Sequence, residues 1–274
     1  MRSIAPDHAT LMRGVPVRKI DWGRARAALK VLIADPERTD QVFEIVRALS
    51  GRADVRSFRD LLRHPDGIAL LREQPSLLTA LSDRAALARL PEGSLGRAYL
   101  AFMVTADLTA DGLVDASMQG EADARDGFSA EAAWFFDRLR DQHDLWHVVT
   151  GYGRDEAGEA ANLAFTYAQI GNHGVGLIVL AAAILGPHGE WFAWQRYLFG
   201  AWRRGRRASW LPAVRWEEIL ALPLAEVRAR LGIEAPEIAH PEGVVVANRA
   251  DLTPGERGRL DRVLGAAATS DDRG

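Results

Sequence analysis

Four residues within one short stretch have the types and spacing to hold a metal ion. In DQHDLWHVVTGYGRDEAGEA, residues Asp141 to Ala160, His143, Asp144 and His147 fall within five positions and Glu159 lies twelve residues after the second histidine. If the first three share an α-helix, they stand at roughly 0°, 100° and 40° around its axis, so one face presents all three. Histidines at i, i+4 suit two imidazole ligands on a divalent cation, and carboxylates balance its charge. Each histidine would bind as a neutral imidazole with its second ring nitrogen in a supporting hydrogen bond. Asp144 can ligate directly or orient a ligand histidine. Two histidines with one or two carboxylates leave coordination positions open, as catalytic rather than closed structural sites do. The same pattern arises when two polar residues sit at the edge of a core, so the motif is weighed with its surroundings.

Those surroundings are helical. SAEAAWFFDRLRDQ has Ser129 as an N-cap and Ala132, Phe135, Phe136 and Leu139 at helical spacing, which predicts a helix carrying the triad at its C-terminal end. The GYG of Gly151 to Gly153 interrupts it, and Asp155 caps a second helix through DEAGEAANLAFTYAQI. A helical hairpin of this kind lays the second helix back on the first and returns Glu159 to the histidines. Arg140, at i−3 from His143, is a candidate catalytic partner for a substrate carboxylate, or else pairs with Asp144 at i+4. Asn162 and Thr166 follow Glu159 at i+3 and i+7, and line a pocket or satisfy buried polar groups. His173, past the Gly171 break, is either a proton carrier for the site or structural.

At these residues the chain resembles the ubiquinone (coenzyme Q) biosynthesis protein four family, whose signature HDxxH-x11-E is matched by His143, Asp144, His147 and Glu159. The segments LPEGSLGRAYLAFM, RDQHDLWHVVTGY, GEAANLAFTYAQ and WEEILALPLAEVRARLGI are similar to that family in the same order, and the similarity runs from Val42 to Ile233. The resemblance implies an all-helical protein with one divalent metal, usually described as zinc. It implies oxidative removal of the C1 carboxylate from a polyprenylated 4-hydroxybenzoate ring, with a hydroxyl put in its place. It also implies an organising role among other ubiquinone-biosynthesis proteins at a membrane surface. A non-catalytic, isoprenoid-lipid-binding scaffold is therefore the competing reading, and a homodimer stands among the partners to be tested. Zinc has no redox chemistry, whereas two histidines and one carboxylate also suit iron or another redox metal. A phosphohydrolase of the HD type would need further His and Asp ligands at helical spacing, which the sequence lacks.

Composition narrows the remaining classes. A net charge of −3 gives no global attraction for nucleic acid, and no nucleic-acid-binding motif occurs. With no cysteine, a metal must take nitrogen and oxygen ligands. The first twenty residues lack the apolar core of a secretory signal, so the expected location is cytoplasmic, peripherally associated with the inner membrane. The most apolar run, Gly174 to Gly186, is short of the ~20 residues that span a bilayer. It reads by default as the buried centre of a bundle, and otherwise as the wall of a lipid pocket. Five of the eight tryptophans lie between Trp191 and Trp216, interleaved with Arg196, Arg203, Arg204, Arg206 and Arg207. Such a segment suits a water–lipid interface or a core-facing aromatic stripe with a solvated basic face.

The fold expected is all-α, a single-domain irregular helical bundle. Residues 1–20 read as a flexible arm, 21–233 as the helical metal-binding domain, and 234–274 as an extension with a helix at Glu256 to Leu264 and a disordered tail. Within the domain, helices are predicted from Trp22, from Thr39 or Asp40 as cap, over Ser57 to Arg63, Ile68 to Glu73, Ser76 to Leu90 and Leu95 to Asp107. A surface excursion is predicted at Thr109 to Gly127.

Overall fold

The computed structural model describes residues 8–35, 38–105, 126–186, 191–234 and 252–271, and among them every regular element is a helix. In chain order these are α1 (His8–Arg13), α2 (Trp22–Ala34), α3 (Thr39–Ala48), α4 (Ala53–Arg63), α5 (Gly67–Glu73), α6 (Leu77–Ser82), α7 (Arg84–Arg89) and α8 (Leu95–Thr105). Then follow α9 (Ala130–Asp141), α10 (His143–Thr150), α11 (Glu156–Ile170), α12 (His173–Leu185), α13 (Trp191–Arg207), α14 (Trp216–Ile219), α15 (Leu224–Leu231) and α16 (Pro254–Asp271). A lone antiparallel bridge, Ser94 to Pro223, ties the start of α8 to the turn before α15.

Caps explain most boundaries. Asp21, Ser76, Ser129 and Asp155 each accept a hydrogen bond from a backbone N–H of the first turn that follows them. Asp83 accepts from the Ala86 N–H and starts α7, which splits the single helix expected over Ser76 to Leu90. The expected Thr39 or Asp40 cap is not used, because α3 begins at Thr39 after Arg38 with no side-chain cap. Helix α4 begins at Ala53, four residues before the Ser57 start expected from its apolar spacing.

Both chain ends pack more closely than expected. From His8 onward the segment read as an arm joins a core cluster, where Leu11 and Val15 are buried with Phe58, Leu61 and Ala132. His8 and Gly14 bond to Leu62 and Ser129. The C-terminal helix runs longer than Glu256 to Leu264, packs on α7 and α8, and its Arg259 caps α8 by donating to the Val104 and Thr105 carbonyls. The expected surface excursion lies outside the described residues from 109 to 125, as do the connector at 235–251 and the last three residues of the tail.

The main core surrounds α10 and α11, where Leu145, Val148, Val149, Ala161, Ala164 and Phe165 are fully buried. Each such Val, Leu or Phe contributes about 1.5–3 kcal/mol of transfer free energy. Helix α12 departs from the buried centre expected of it. Gly174, Val175 and Ile178 face inward, while Leu180, Ile184 and Leu185 are exposed.

Candidate metal centre

The triad does not extend the preceding helix; it opens one of its own. Gln142 interrupts α9 and α10 with helical backbone angles, so the chain continues in nearly the same course. Its side-chain oxygen accepts from the indole N–H groups of Trp146 and Trp216, at 3.3 and 2.9 Å. Eight residues make a marginal helix in water, so α10 depends on its packing. All seven side chains after His143, from Asp144 to Thr150, are buried, and four of them are apolar. At its C-terminal end, Arg228 donates to the Val148 and Val149 carbonyls and Arg204 to that of Thr150. Cations there satisfy orphan acceptors and complement the helix dipole. Gly151 then turns the chain at φ 79°, a left-handed angle that costs glycine nothing.

The turn returns Glu159 to both histidines. Here α11 meets the turn so closely that a Cβ on Gly158 would lie 2.1 Å from the Gly153 carbonyl oxygen. His143 Nε2 is 3.3 Å from Glu159 Oε1, His147 Nε2 is 2.8 Å from Oε2, and the two Nε2 atoms are 3.2 Å apart. One ligand atom from each of these three residues lies within 4.8 Å of the others. Asp144 is not part of that group; it is buried beside it.

Ring tautomers follow from the second shell of contacts. His147 Nδ1 is 2.9 Å from the Tyr152 carbonyl, which can only accept, so Nδ1 carries the proton and the Nε2 lone pair faces Glu159 and His143. Although close, Glu159 Oε2 makes no aligned hydrogen bond and is buried. Two imidazole nitrogens and a carboxylate aimed at one point repel unless a cation or proton lies among them. The donor set therefore fits a divalent metal with nitrogen and oxygen preference, and leaves open positions.

Without such an ion, charge is balanced internally. Burial opposes protonation of His143, but the charge and hydrogen bond of Glu159, with Asp144 beside them, raise its pKa to about 9, while Arg154 opposes them. Burial likewise opposes ionisation of Glu159, and the His147 and His143 imidazoles hold its carboxyl well below the usual range. Tyr99 is pushed up by burial and then by Asp144.

Other expected residues separate. Arg140 lies on Asp141 at 2.9 Å, with Asp137 at 3.9 Å. His173 begins α12, exposed, past the far end of the helix that carries Glu159 in its first turn and so roughly 16 Å or more away along its axis. Asn162 is fully buried with neither amide atom bonded, and the Thr166 hydroxyl is buried and unbonded too.

Several site residues carry no local signal. Phe102 of α8 stacks on the His147 ring at 5.7 Å, and the Arg154 guanidinium sits 5.7 Å over Phe102. Tyr152 reads in the sequence only as part of a turn, and Arg204 and Arg228 lie more than fifty residues from the carbonyls they hold. Tertiary packing alone brings them together.

Of the five tryptophans from Trp191 onward, Trp194 and Trp216 are buried and only Trp191 is strongly exposed. In this segment Trp194, Tyr197 and Trp216 are buried, Trp202 and Trp210 are half-buried, and Trp191, Phe192 and Phe199 form an exposed rim. No helix among the described residues is long and apolar enough to cross a membrane.

Comparison with known proteins agrees with this architecture. A ubiquinone biosynthesis protein from Pyrenophora tritici-repentis is 31% identical over 207 residues, 74% of this chain and 68% of that protein. The Aedes aegypti relative is 29% identical over 75% of this chain and 73% of its own. Both are named mitochondrial, so the cytoplasmic expectation gains no support from them. A crystal structure from Nostoc punctiforme, described as a candidate ubiquinone biosynthesis protein, superposes with a TM-score of 0.55 at 22% identity, covering 79% of this chain and all of that one. It shares the fold. Residues 24–237 match the family described as coenzyme Q (ubiquinone) biosynthesis protein Coq4, and the chain belongs to that family.

Proposed function

We propose that this chain, within ubiquinone biosynthesis, oxidatively removes the C1 carboxylate of a polyprenylated 4-hydroxybenzoate-derived ring and leaves a hydroxyl on the same carbon. The observation that carries the reading is the three-donor cluster of His143, His147 and Glu159, with ligand atoms within 4.8 Å and part of the site open to solvent. These residues would hold one divalent cation, zinc or a redox metal such as iron. When bound, that cation supplies Lewis acidity toward substrate oxygens and, if it is redox-active, oxygen activation.

The protein's own part is positioning. Tyr152 and Phe102 fix the His147 ring by a hydrogen bond and a stacking contact. Buried Asp144 adds negative charge beside His143. The apolar wall from Leu145 to Val149 keeps water from the inner side of the site. Purified protein with a prenylated 4-hydroxybenzoate, a two-electron reductant and labelled oxygen gas should give a product that has lost carbon dioxide and carries one labelled atom, the second oxygen atom leaving as water. An unlabelled product, or none with metal restored and partner proteins present, overturns the catalytic reading in favour of a scaffold.

The prenyl tail implies a lipid surface. We propose that the α12–α13 end makes that contact. Trp194 and Gln195 bond to the Ala182 and Ala183 carbonyls and so lock the end of α12 against the start of α13. This gathers the exposed Ile184, Leu185, Trp191 and Phe192 at one end of the pair, with exposed Arg196 near them. Apolar and aromatic side chains beside a cation suit the headgroup boundary of an anionic membrane.

A further inference from the structure

The proposed substrate carries a carboxylate, and the arginine picked out by spacing is already engaged by Asp141. The same holds for other arginines around the site. Arg138 pairs with Glu217 at 2.6 Å, while Arg204 and Arg228 are held by the terminal carbonyls of α10. Arg154 differs from all of these. It sits in the turn between the two ligand helices, seven residues after His147 and five before Glu159, and is exposed. No carboxylate among the described residues pairs with it.

Its guanidinium has a defined place. It lies over the ring of Phe102, and that same ring stacks on His147. Phe102 therefore links the exposed Arg154 guanidinium to a ligand imidazole. A guanidinium held on an aromatic face keeps its N–H edge free, and that planar edge matches both oxygens of a carboxylate.

We propose that Arg154 is the substrate-recognition residue of this site, receiving the ring carboxylate of the aromatic acid at the mouth of the metal centre. The proposal rests on the aromatic-acid reading above. It assigns carboxylate selectivity to the Gly151–Gly153 turn and its flank rather than to Arg140 on α9.

Zinc-loaded full-length protein should be titrated with 3-geranyl-4-hydroxybenzoate and with its neutral methyl ester, as wild type, Arg154→Gln and Arg154→Lys. Wild type should bind the acid about tenfold or more tighter than the ester. Arg154→Gln should lose about tenfold for the acid and less than about twofold for the ester, with metal content and melting temperature unchanged. Arg154→Lys, which keeps charge and loses the planar fork, should fall between them. If Arg154→Gln keeps the preference for acid, or loses both ligands equally, the assignment of Arg154 is overturned while the aromatic-acid reading stands. If wild type shows no preference for the acid, that reading fails and the role of Arg154 fails with it.

Discussion

His147 does the most to organise the site, because its two ring nitrogens face different demands. Nδ1 is committed to the Tyr152 carbonyl and Nε2 points at Glu159, so rotation of the ring would break one contact and misalign the other. His143 is half as constrained: its Nε2 meets Glu159 and His147, and its ring is partly exposed. Asp144 shares the turn but contributes charge rather than a converging ligand atom. These differences predict an ordered set of losses. Elemental analysis should find His147→Ala and Glu159→Gln without bound metal, and Asp144→Asn with close to the wild-type content. An Asp144→Asn protein as empty as His147→Ala would make Asp144 a direct ligand and show that the donor set is larger than three. The ligand residues themselves were legible from spacing, since i, i+4 histidines and a capped return helix are local patterns. Phe102, Arg154 and the carbonyl-holding arginines were not, since each reaches the site from elsewhere in the chain or through contacts that no periodicity records.

At the scale of elements, capping was legible and burial was less so. Ser129 and Asp155 start their helices as their types predict, because a short side-chain oxygen beside an apolar run has one local use. Whether an all-apolar helix lies at the centre or the surface depends on what packs against it. On α12 only one side meets α3, α11 and α13, which leaves Leu180, Ile184 and Leu185 in solvent. Leaving several such side chains exposed forgoes about 1.5–3 kcal/mol each, which burial in a lipid interface would recover. Phe192→Asp combined with Leu185→Asp should therefore weaken co-sedimentation with anionic vesicles by about tenfold or more while leaving metal content and melting temperature unchanged. Wild type that stays in the supernatant at low salt would refute the lipid contact at this end of the molecule. Release by high salt alone, with no effect of the two apolar substitutions, would assign the contact to arginine charge.

The whole molecule is a bundle in which the candidate metal site joins α10 to α11 at the centre of the main core. Its all-α class followed from periodicity, but the integration of the ends did not: α1 and α16 have short or mixed patterns, and only contact with α4, α7 and α8 gives them their places. Ligands from α10 and α11 lie on opposite sides of a glycine turn, and α8 leans on the centre through Phe102. An ion bound by both helices must therefore be released when they separate, so metal binding is coupled to unfolding of the core. At a free metal concentration a hundredfold above Kd, this linkage stabilises the native state by about 2.7 kcal/mol. For a chain of this size that corresponds to a rise in Tm of about 5 °C. Zinc-loaded protein should melt higher than chelator-treated protein by about that amount, the gap should grow with metal concentration, and it should vanish in His147→Ala. Equal melting temperatures for loaded and stripped wild type, with metal shown to be bound, would mean that the unfolded chain binds the ion as well as the folded one does, and would remove the coupling between site and core.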